Sequence, residues 1–548
     1  MSGRNADSPI ASPRSTKFHR WGWVLVCAIP LLCALAVRGP IPIDETRYLS
    51  VAWEMWSKGD FALPTLNGSA YTHKPPVLFW LMHLGWAVFG VNAWWPRSLP
   101  FLAAVASTWL ARRLAVTLYP EPASRVPDFT AWLLAGSIAV TAYVTIMLFD
   151  WVLVAWVMTA IVALERAERA PLTSWSLYAA ALAAGLLTKG PAMLLFALPP
   201  ALLGPWWSVR AGRQRLAWYG GMTVALVVAL AVASLWVLTA FQQTGTGFVR
   251  TILWEQSATR VVHSIAHARP WWFYLLAFPL LLLPWLVWPT AWRSLRGRGN
   301  PRADRLAVAT FLPAFLIFSL ISGKQPHYLL PLVPIVALWL APRLARPAMT
   351  LGSAVPVALC FLFLGAGAAA TAISAEPVNT RLATGFATMA CALLFLGGST
   401  DRFAAIRHVA LATATTMGLV TIAFYVAIGE SYRLDTAARV VKRLDEDDVP
   451  IAWIGPYAGQ FNFLARLRHP ITELDSQRTD DVAAWIAAHP DGQVVAFSSY
   501  GCDIDIGPAT YRQRYRSGWL VIVPANATHY APRACDAAKG RADEASSE

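Results

Sequence analysis

Charge is scarce in this chain: Asp, Glu, Lys and Arg make up 14% of 548 residues, against 56% hydrophobic. A soluble globular domain carries about a quarter charged residues, so that class is excluded. Cysteine is sparse too, six in all, and no CxxC or HExxH spacing occurs. A disulfide scaffold and the common zinc sites are thereby excluded. No internal repeat is evident.

Apolar length is what the chain has. Mean hydropathy is +0.46, and 27 Trp residues suit a protein with membrane–water interfaces. Apolar spans lie near 21–38, 97–114, 129–149, 151–165, 174–188, 190–207, 217–241, 271–291, 305–321, 327–342, 351–373, 381–398 and 404–428. By the criterion of roughly twenty residues per crossing, this is an α-helical polytopic membrane protein with about 13 transmembrane helices. The formal charge of +14 reflects topology rather than nucleic-acid binding, because the basic residues stand in short blocks between spans. The basic N-terminus, 1–20, precedes a long apolar run without a clear cleavage site, which reads as an uncleaved first span with its N-terminus cytoplasmic.

Charge placement also decides the stretch 75–91. Leaving it out of the spans puts the blocks at Arg112-Arg113, Arg166/Arg169, Arg210/Arg213/Arg215, Arg293/Arg296/Arg298, Arg343/Arg346 and Arg402/Arg407 on one side. It is therefore expected to be an interfacial or re-entrant helix opened by Pro75-Pro76. The segments 39–96, 242–270 and everything beyond about 430 then face outward, together with Asp150, Lys189 and Lys324.

Four regions follow from this: a cytoplasmic tail (1–20), a membrane domain (21–428, with 39–96 as an outer loop), an outer α/β domain (429–536) and a disordered tail (537–548). In the third, apolar runs at 451–454, 494–497 and 519–523 read as strands, alternating with helical stretches near 457–467 and 479–488. Cys502 and Cys535 fall there, and an oxidising compartment permits a disulfide whose geometry sequence does not supply. Cys27, Cys33, Cys360 and Cys391 lie in apolar spans and read as core residues.

Polar residues gather on the outer face. Asp44-Glu45 stands directly after the first span, followed by Arg47 and Tyr48. Carboxylates at a membrane edge are costly to keep, so they read either as helix-end acids pairing with Arg47 or as a general base held against apolar walls. Tyr71 and His73 flank Lys74, which Pro75-Pro76 hold in place; a snorkelling lysine and a phosphate ligand are the two readings. Asp150 interrupts the apolar stretch 131–162 and is a candidate second acid. Lys189 in Thr188-Lys189-Gly190-Pro191 and Lys324 in Ser322-Gly323-Lys324-Gln325-Pro326-His327-Tyr328 sit in tight outer loops. The region 250–270 adds Arg250, Glu255, Arg260, His263, His267 and Arg269, whose spacing fits no standard metal site. No cofactor is expected. Cations converging with two carboxylates suit an anionic phospholipid substrate.

At these residues the chain resembles the bacterial aminoarabinose transferases of lipid A, within the wider set that includes protein O-mannosyltransferases. Asp44-Glu45-x-Arg47-Tyr48, Asn67-Gly68 before Tyr71-x-x-Lys74-Pro75-Pro76, Thr188-Lys189-Gly190-Pro191 and Ser322-x-Lys324-x-x-x-Tyr328 occur in the family's order over about 20–345. The resemblance implies a GT-C fold in a bacterial inner membrane, with a polyprenyl-phosphate-linked sugar as donor and an envelope glycolipid or glycan as acceptor. It implies that Asp44 activates the acceptor, with Glu45 supporting it and Asp150 as second acid. Lys74, Tyr71, Arg260, Tyr328, Lys324 and Lys189 hold the donor phosphate, and Arg47, His73 and Glu255 are further substrate contacts. The anomeric carbon inverts as polyprenyl phosphate leaves. His73 departs from the family, which usually has an acid before this lysine; the reaction class stands, while the amino sugar is left open. A protein O-glycosyltransferase is the nearest alternative. A polyprenyl-lipid transporter is disfavoured, since transporters often show internal repeats.

Overall fold

The computed structural model describes residues 13–121, 124–244, 268–297, 299–345, 402–476, 478–499, 509–516 and 518–527. Glu255, Arg260, the other polar residues of 250–267, and the four cysteines at 360, 391, 502 and 535 lie outside them. The described residues fall into two compact units. The first lies within Met1–Ala34, Ser98–Ser234 and Ser257–Thr421, the second within Leu35–Arg97, Leu235–Gln256 and Ile422–Glu548.

Six helices among the described residues are long and apolar enough to cross a membrane: Arg20–Val37, Trp94–Leu118, Arg215–Thr244, Pro301–Leu320, Pro326–Leu344 and Phe403–Val426. The expected spans at 351–373 and 381–398 lie outside the described residues, and those at 129–149 and 271–291 are broken. The 129–149 stretch forms two helices, Val126–Ala135 and Ile138–Tyr143. Ser137 restarts the chain as an N-cap, its hydroxyl accepting from the Val140 amide at 3.3 Å. Glycine at 136 lets neighbouring elements approach the break closely, for a Cβ there would lie 2.6 Å from Trp285 and 2.7 Å from the Ala410 backbone. The 271–291 stretch is cut by prolines into Phe273–Leu281, a 3-10 turn Trp285–Val287, and Pro289–Ser294.

Broken helices leave orphan carbonyls, which an apolar setting cannot hydrate. Aromatic donors satisfy them at the end of the Ala192–Leu202 helix. Trp207 Nε1 donates to the Pro200 carbonyl at 2.7 Å, Trp218 Nε1 to Ala201 at 2.8 Å and Tyr219 Oη to Leu202 at 2.9 Å. Trp285 Nε1 likewise bonds the Leu133 carbonyl at 2.7 Å. Part of the tryptophan content is thus internal hydrogen-bonding material, besides any interfacial role.

In the second unit the Asp44–Lys58 helix ends at Gly59, whose φ of 68° terminates it in the left-handed conformation. A short hairpin follows, β1 (Thr65–Leu66) and β2 (Ser69–Ala70), then the Val77–Phe89 helix directly behind Pro75-Pro76. At 13 residues that helix is shorter than a bilayer crossing.

Five further strands form one sheet: β3 (Ile451–Ile454), β4 (Thr472–Leu474), β5 (Gln493–Ser499), β6 (Tyr511–Tyr515) and β7 (Gly518–Pro524). Their order is β4-β3-β5-β7-β6, with β4, β3 and β5 parallel and β7 antiparallel to both neighbours. Alternation sorts the side chains onto two faces. Trp453, Val495, Leu520 and Ile522 pack with Ala437, Ala438 and Val441 of the Asp435–Glu446 helix. Ala452, Val494, Ala496 and Val523 pack on the other side with Val482 and Trp485 of the Thr479–Ala488 helix. The helical stretch expected near 457–467 is a single π turn, Asn462–Arg466.

Candidate active site

In the first unit, Asp150 opens the Asp150–Arg166 helix and Lys189 closes the Pro171–Lys189 helix. An acid in a first turn and a base in a last turn each complement the helix dipole. The two side chains meet, Lys189 Nζ donating to Asp150 Oδ1. Asp150 is only 3% exposed, so pairing is what makes its burial tolerable. His327 Nε2 lies 3.9 Å from the other carboxylate oxygen. Lys189 Nζ also stands 4.6 Å from the centroid of the Tyr328 ring, a cation–π distance. Tyr328 meets His327 edge-on at 4.9 Å, and Tyr143 lies 6.0 Å from His327.

The sequence marks Asp150 as a second acid and Lys189 and Tyr328 as donor-phosphate ligands; the fold makes the three one cluster. His327 and Tyr143 complete it. His327 stood in the quoted motif, but only the fold places it beside Asp150.

Lys324 has a different partner. Its ammonium donates to the Arg269 carbonyl at 2.8 Å, beside an Ala268–Gly323 bridge and an Arg269 amide bond to Ser322 at 3.1 Å. Burial pushes its pKa below the ordinary lysine value. In this structure Lys324 ties two segments together.

In the second unit the acidic pair divides. Asp44 is the first residue of its helix and its side chain is 60% exposed, 3.9 Å from Arg47 Nη1. Among the described residues its side chain is open to solvent rather than held against the apolar walls expected around it. Glu45 is buried. It forms a bidentate pair with Arg38, Nη1–Oε2 2.6 Å and Nη2–Oε1 3.0 Å, and accepts the Ile41 amide at 2.8 Å. Burial works against the Arg38 charge, yet the Glu45 carboxylate outweighs it and leaves the guanidinium's pKa above its ordinary value. Arg38 was missed in the sequence, where it looks like an ordinary basic residue flanking a span.

Lys74 is half-buried, in a loop fixed at its start by buried Tyr71, whose amide bonds the Pro64 carbonyl at 2.8 Å. The Tyr71 ring contacts exposed His73 at 5.3 Å and Phe79 at 6.3 Å. Among the described residues no group of three or more His, Cys, Asp or Glu is arranged to hold a metal ion.

Residues 73–236 match the family model for dolichyl-phosphate-mannose-protein mannosyltransferase. The chain is 33% identical to the undecaprenyl phosphate-alpha-4-amino-4-deoxy-L-arabinose arabinosyl transferase 1 of Pseudomonas fluorescens (strain Pf0-1), over 61% of this chain and 61% of that relative. It is 32% identical to the corresponding transferase of Pseudomonas savastanoi pv. phaseolicola, over 60% of this chain and 62% of the relative. The match thus spans about three fifths of those relatives' length. The crystal structure of ArnT from Cupriavidus metallidurans bound to undecaprenyl phosphate superposes with a TM-score of 0.74 at 17% identity, covering 95% of this chain and all of that one. The apo form gives 0.73 at 18%, over 93% of this chain and all of that one. The resemblance carried by the four motifs is borne out: the chain is similar in sequence to the aminoarabinose arabinosyl transferases and has the GT-C fold of the solved ArnT structures.

Proposed function

We propose that the chain is an integral-membrane glycosyltransferase that moves a sugar from a polyprenyl-phosphate donor to a lipid A-type or other envelope acceptor. The observation that carries this is the match, along 95% of the chain, to a fold solved with undecaprenyl phosphate bound. The sequence similarity to arabinosyl transferases supports it. The one-sided basic blocks favour a cytoplasmic N-terminus in a multi-pass inner-membrane protein, with 39–96 and 429–536 periplasmic.

In the proposed reaction an acceptor oxygen attacks the anomeric carbon from the face opposite the phosphate. The C–O bond to polyprenyl phosphate breaks as the new glycosidic bond forms, inverting configuration. The exposed Asp44 carboxylate takes the acceptor's proton, with Arg47 beside it. Lys74, with Tyr71 on its loop, binds the donor phosphate; Arg260 remains a proposed phosphate ligand, and His73 and Glu255 proposed further substrate contacts. Phosphate is already a fair leaving group, so positioning and charge neutralisation carry the catalysis. Glu45 acts through Arg38 to fix the start of the Asp44 helix. Asp150 holds Lys189 against Tyr328, where the ammonium is a ready phosphate ligand. Lys324 keeps its loop closed on Arg269.

The test supplies purified protein with radiolabelled polyprenyl-phosphate pentoses and hexoses and with lipid A-type acceptors. Label passing to the glycolipid supports the proposal. Label passing to polypeptide makes the chain a protein O-glycosyltransferase, and no transfer from any polyprenyl donor overturns the enzyme.

A further inference from the structure

Asn67-Gly68 stands in the family-like motif, yet the proposed reaction gives it no task. The two residues are the turn of the β1–β2 hairpin, with φ of 52° and 79°. Two-residue hairpin turns with both φ positive select Asn-Gly, which explains the residue types. It does not explain what the Asn67 side chain does. Its Nδ2 donates to the Ile471 carbonyl at 2.8 Å while its Oδ1 accepts the Ile471 amide at 2.8 Å. The side chain thereby pairs with Ile471 as a neighbouring strand would.

The Asp44–Lys58 helix reaches the same place from another side. Ser50 and Glu54, four residues apart, lie on one face and are both buried. Ser50 Oγ donates to the Gly459 carbonyl at 2.7 Å and accepts the Phe463 amide at 3.1 Å. The Glu54 carboxylate accepts the Asn67 amide, the Gly68 amide at 3.1 Å and Asn462 Nδ2 at 3.1 Å. Trp86 of the Val77–Phe89 helix stacks on Phe463 at 5.6 Å. So the helix that begins with Asp44, the hairpin that leads to Lys74 and the helix that follows it are all bonded to 459–471.

We propose that Glu54 and Asn67 are positioning residues, a clamp through which the C-terminal sheet domain sets the geometry of the Asp44 helix and the Lys74 loop. What the loop binds rests on the proposed function; the clamp does not. Glu54 serves both sides at once, holding the hairpin's amides and Asn462 with one carboxylate. Asn67 carries the hairpin's link onward to Ile471. Cutting either should free the Tyr71–Lys74 loop while leaving the rest of the chain folded.

The test uses the full chain in lipid nanodiscs with Asn67→Gly, which keeps the positive-φ turn and removes the side chain with its bonds to Ile471 and Glu473. Amide exchange and polyprenyl-phosphate affinity are read together. The clamp predicts exchange faster by about tenfold both at Ile471 and from Tyr71 to Lys74, with other segments unchanged. It also predicts weaker polyprenyl-phosphate binding. Asn67→Asp should behave similarly, since it sets a carboxylate against the Ile471 carbonyl and Glu473 Oε1, which is 3.2 Å from Asn67 Nδ2. Adding Glu473→Gln should restore part of the affinity, a rescue that a merely structural role would not give. Faster exchange confined to Ile471, with the Lys74 loop and the affinity unchanged, overturns the clamp. If wild type binds no polyprenyl phosphate while Asn67→Gly still loosens the loop, the clamp stands and the proposed function fails.

Discussion

Arg38 and Glu45 face each other as a two-point ion pair, both side chains no more than 2% exposed. Neighbouring Asp44 is open to solvent. Two adjacent acids thus have opposite environments, and this divides structure from chemistry at the start of the Asp44–Lys58 helix. Removing one partner takes the counter-charge from the other where it is buried, at a cost of about 3–5 kcal/mol. Glu45→Gln should therefore lower the unfolding temperature markedly. Arg38→Lys should rescue little, since an ammonium cannot make the fork. Thermal unfolding of the purified variants in detergent reads both.

Asp150 and Lys189 should behave as one unit. Asp150→Asn takes the carboxylate's charge away from Lys189, and Lys189→Met takes the ammonium away from the buried Asp150. Each single change should be costly and the double change less than additive, with a coupling of about 1–3 kcal/mol in a double-mutant cycle of unfolding free energies. Additivity would separate the pair.

Gly136→Ala tests the broken helix. The added methyl meets the Trp285 ring and the Ala410 backbone, and backbone cannot step aside cheaply. A loss of about 1–3 kcal/mol is expected. An unchanged unfolding temperature would show that the close approach is not kept in solution.

Buried tyrosines make the sheet domain sensitive to alkali. Burial raises Tyr515 from an ordinary 10.0 to about 12, and burial also raises Tyr457. The fold then favours the protonated phenol. Its contribution is complete below pH 10, where folded and unfolded phenols both keep their protons, and is lost as pH rises from 10 through about 12 for Tyr515. Amide exchange of β3, β5 and β7 in the whole chain should accelerate in that window. Tyr515→Phe should flatten the dependence.

Much of this architecture was legible in residue pattern. Asp150 announced itself as the one charged residue in the stretch 131–162. Strand β7 showed as an unbroken apolar run because a strand covered on both faces needs no alternation. Edge strand β6, Tyr511-Arg512-Gln513-Arg514-Tyr515, carries polar residues outward and gives no such signal. The break at Gly136-Ser137 sits inside apolar sequence, where hydropathy cannot show it. Long-range pairing is also silent in composition. Nothing near Asn67 points to Ile471, 404 positions away, and nothing near Glu45 marks Arg38 as more than a flanking base.

If Asp44 takes the acceptor's proton during transfer from a polyprenyl phosphate, amidation of its carboxylate slows the chemical step. The most direct measurement compares single-turnover transfer by wild type and Asp44→Asn at saturating donor and acceptor. General-base catalysis is worth about a hundredfold to ten-thousandfold. Loss of the base should cost at least about a hundredfold in rate, with polyprenyl-phosphate affinity and unfolding temperature unchanged. Equal transfer by both proteins would contradict it.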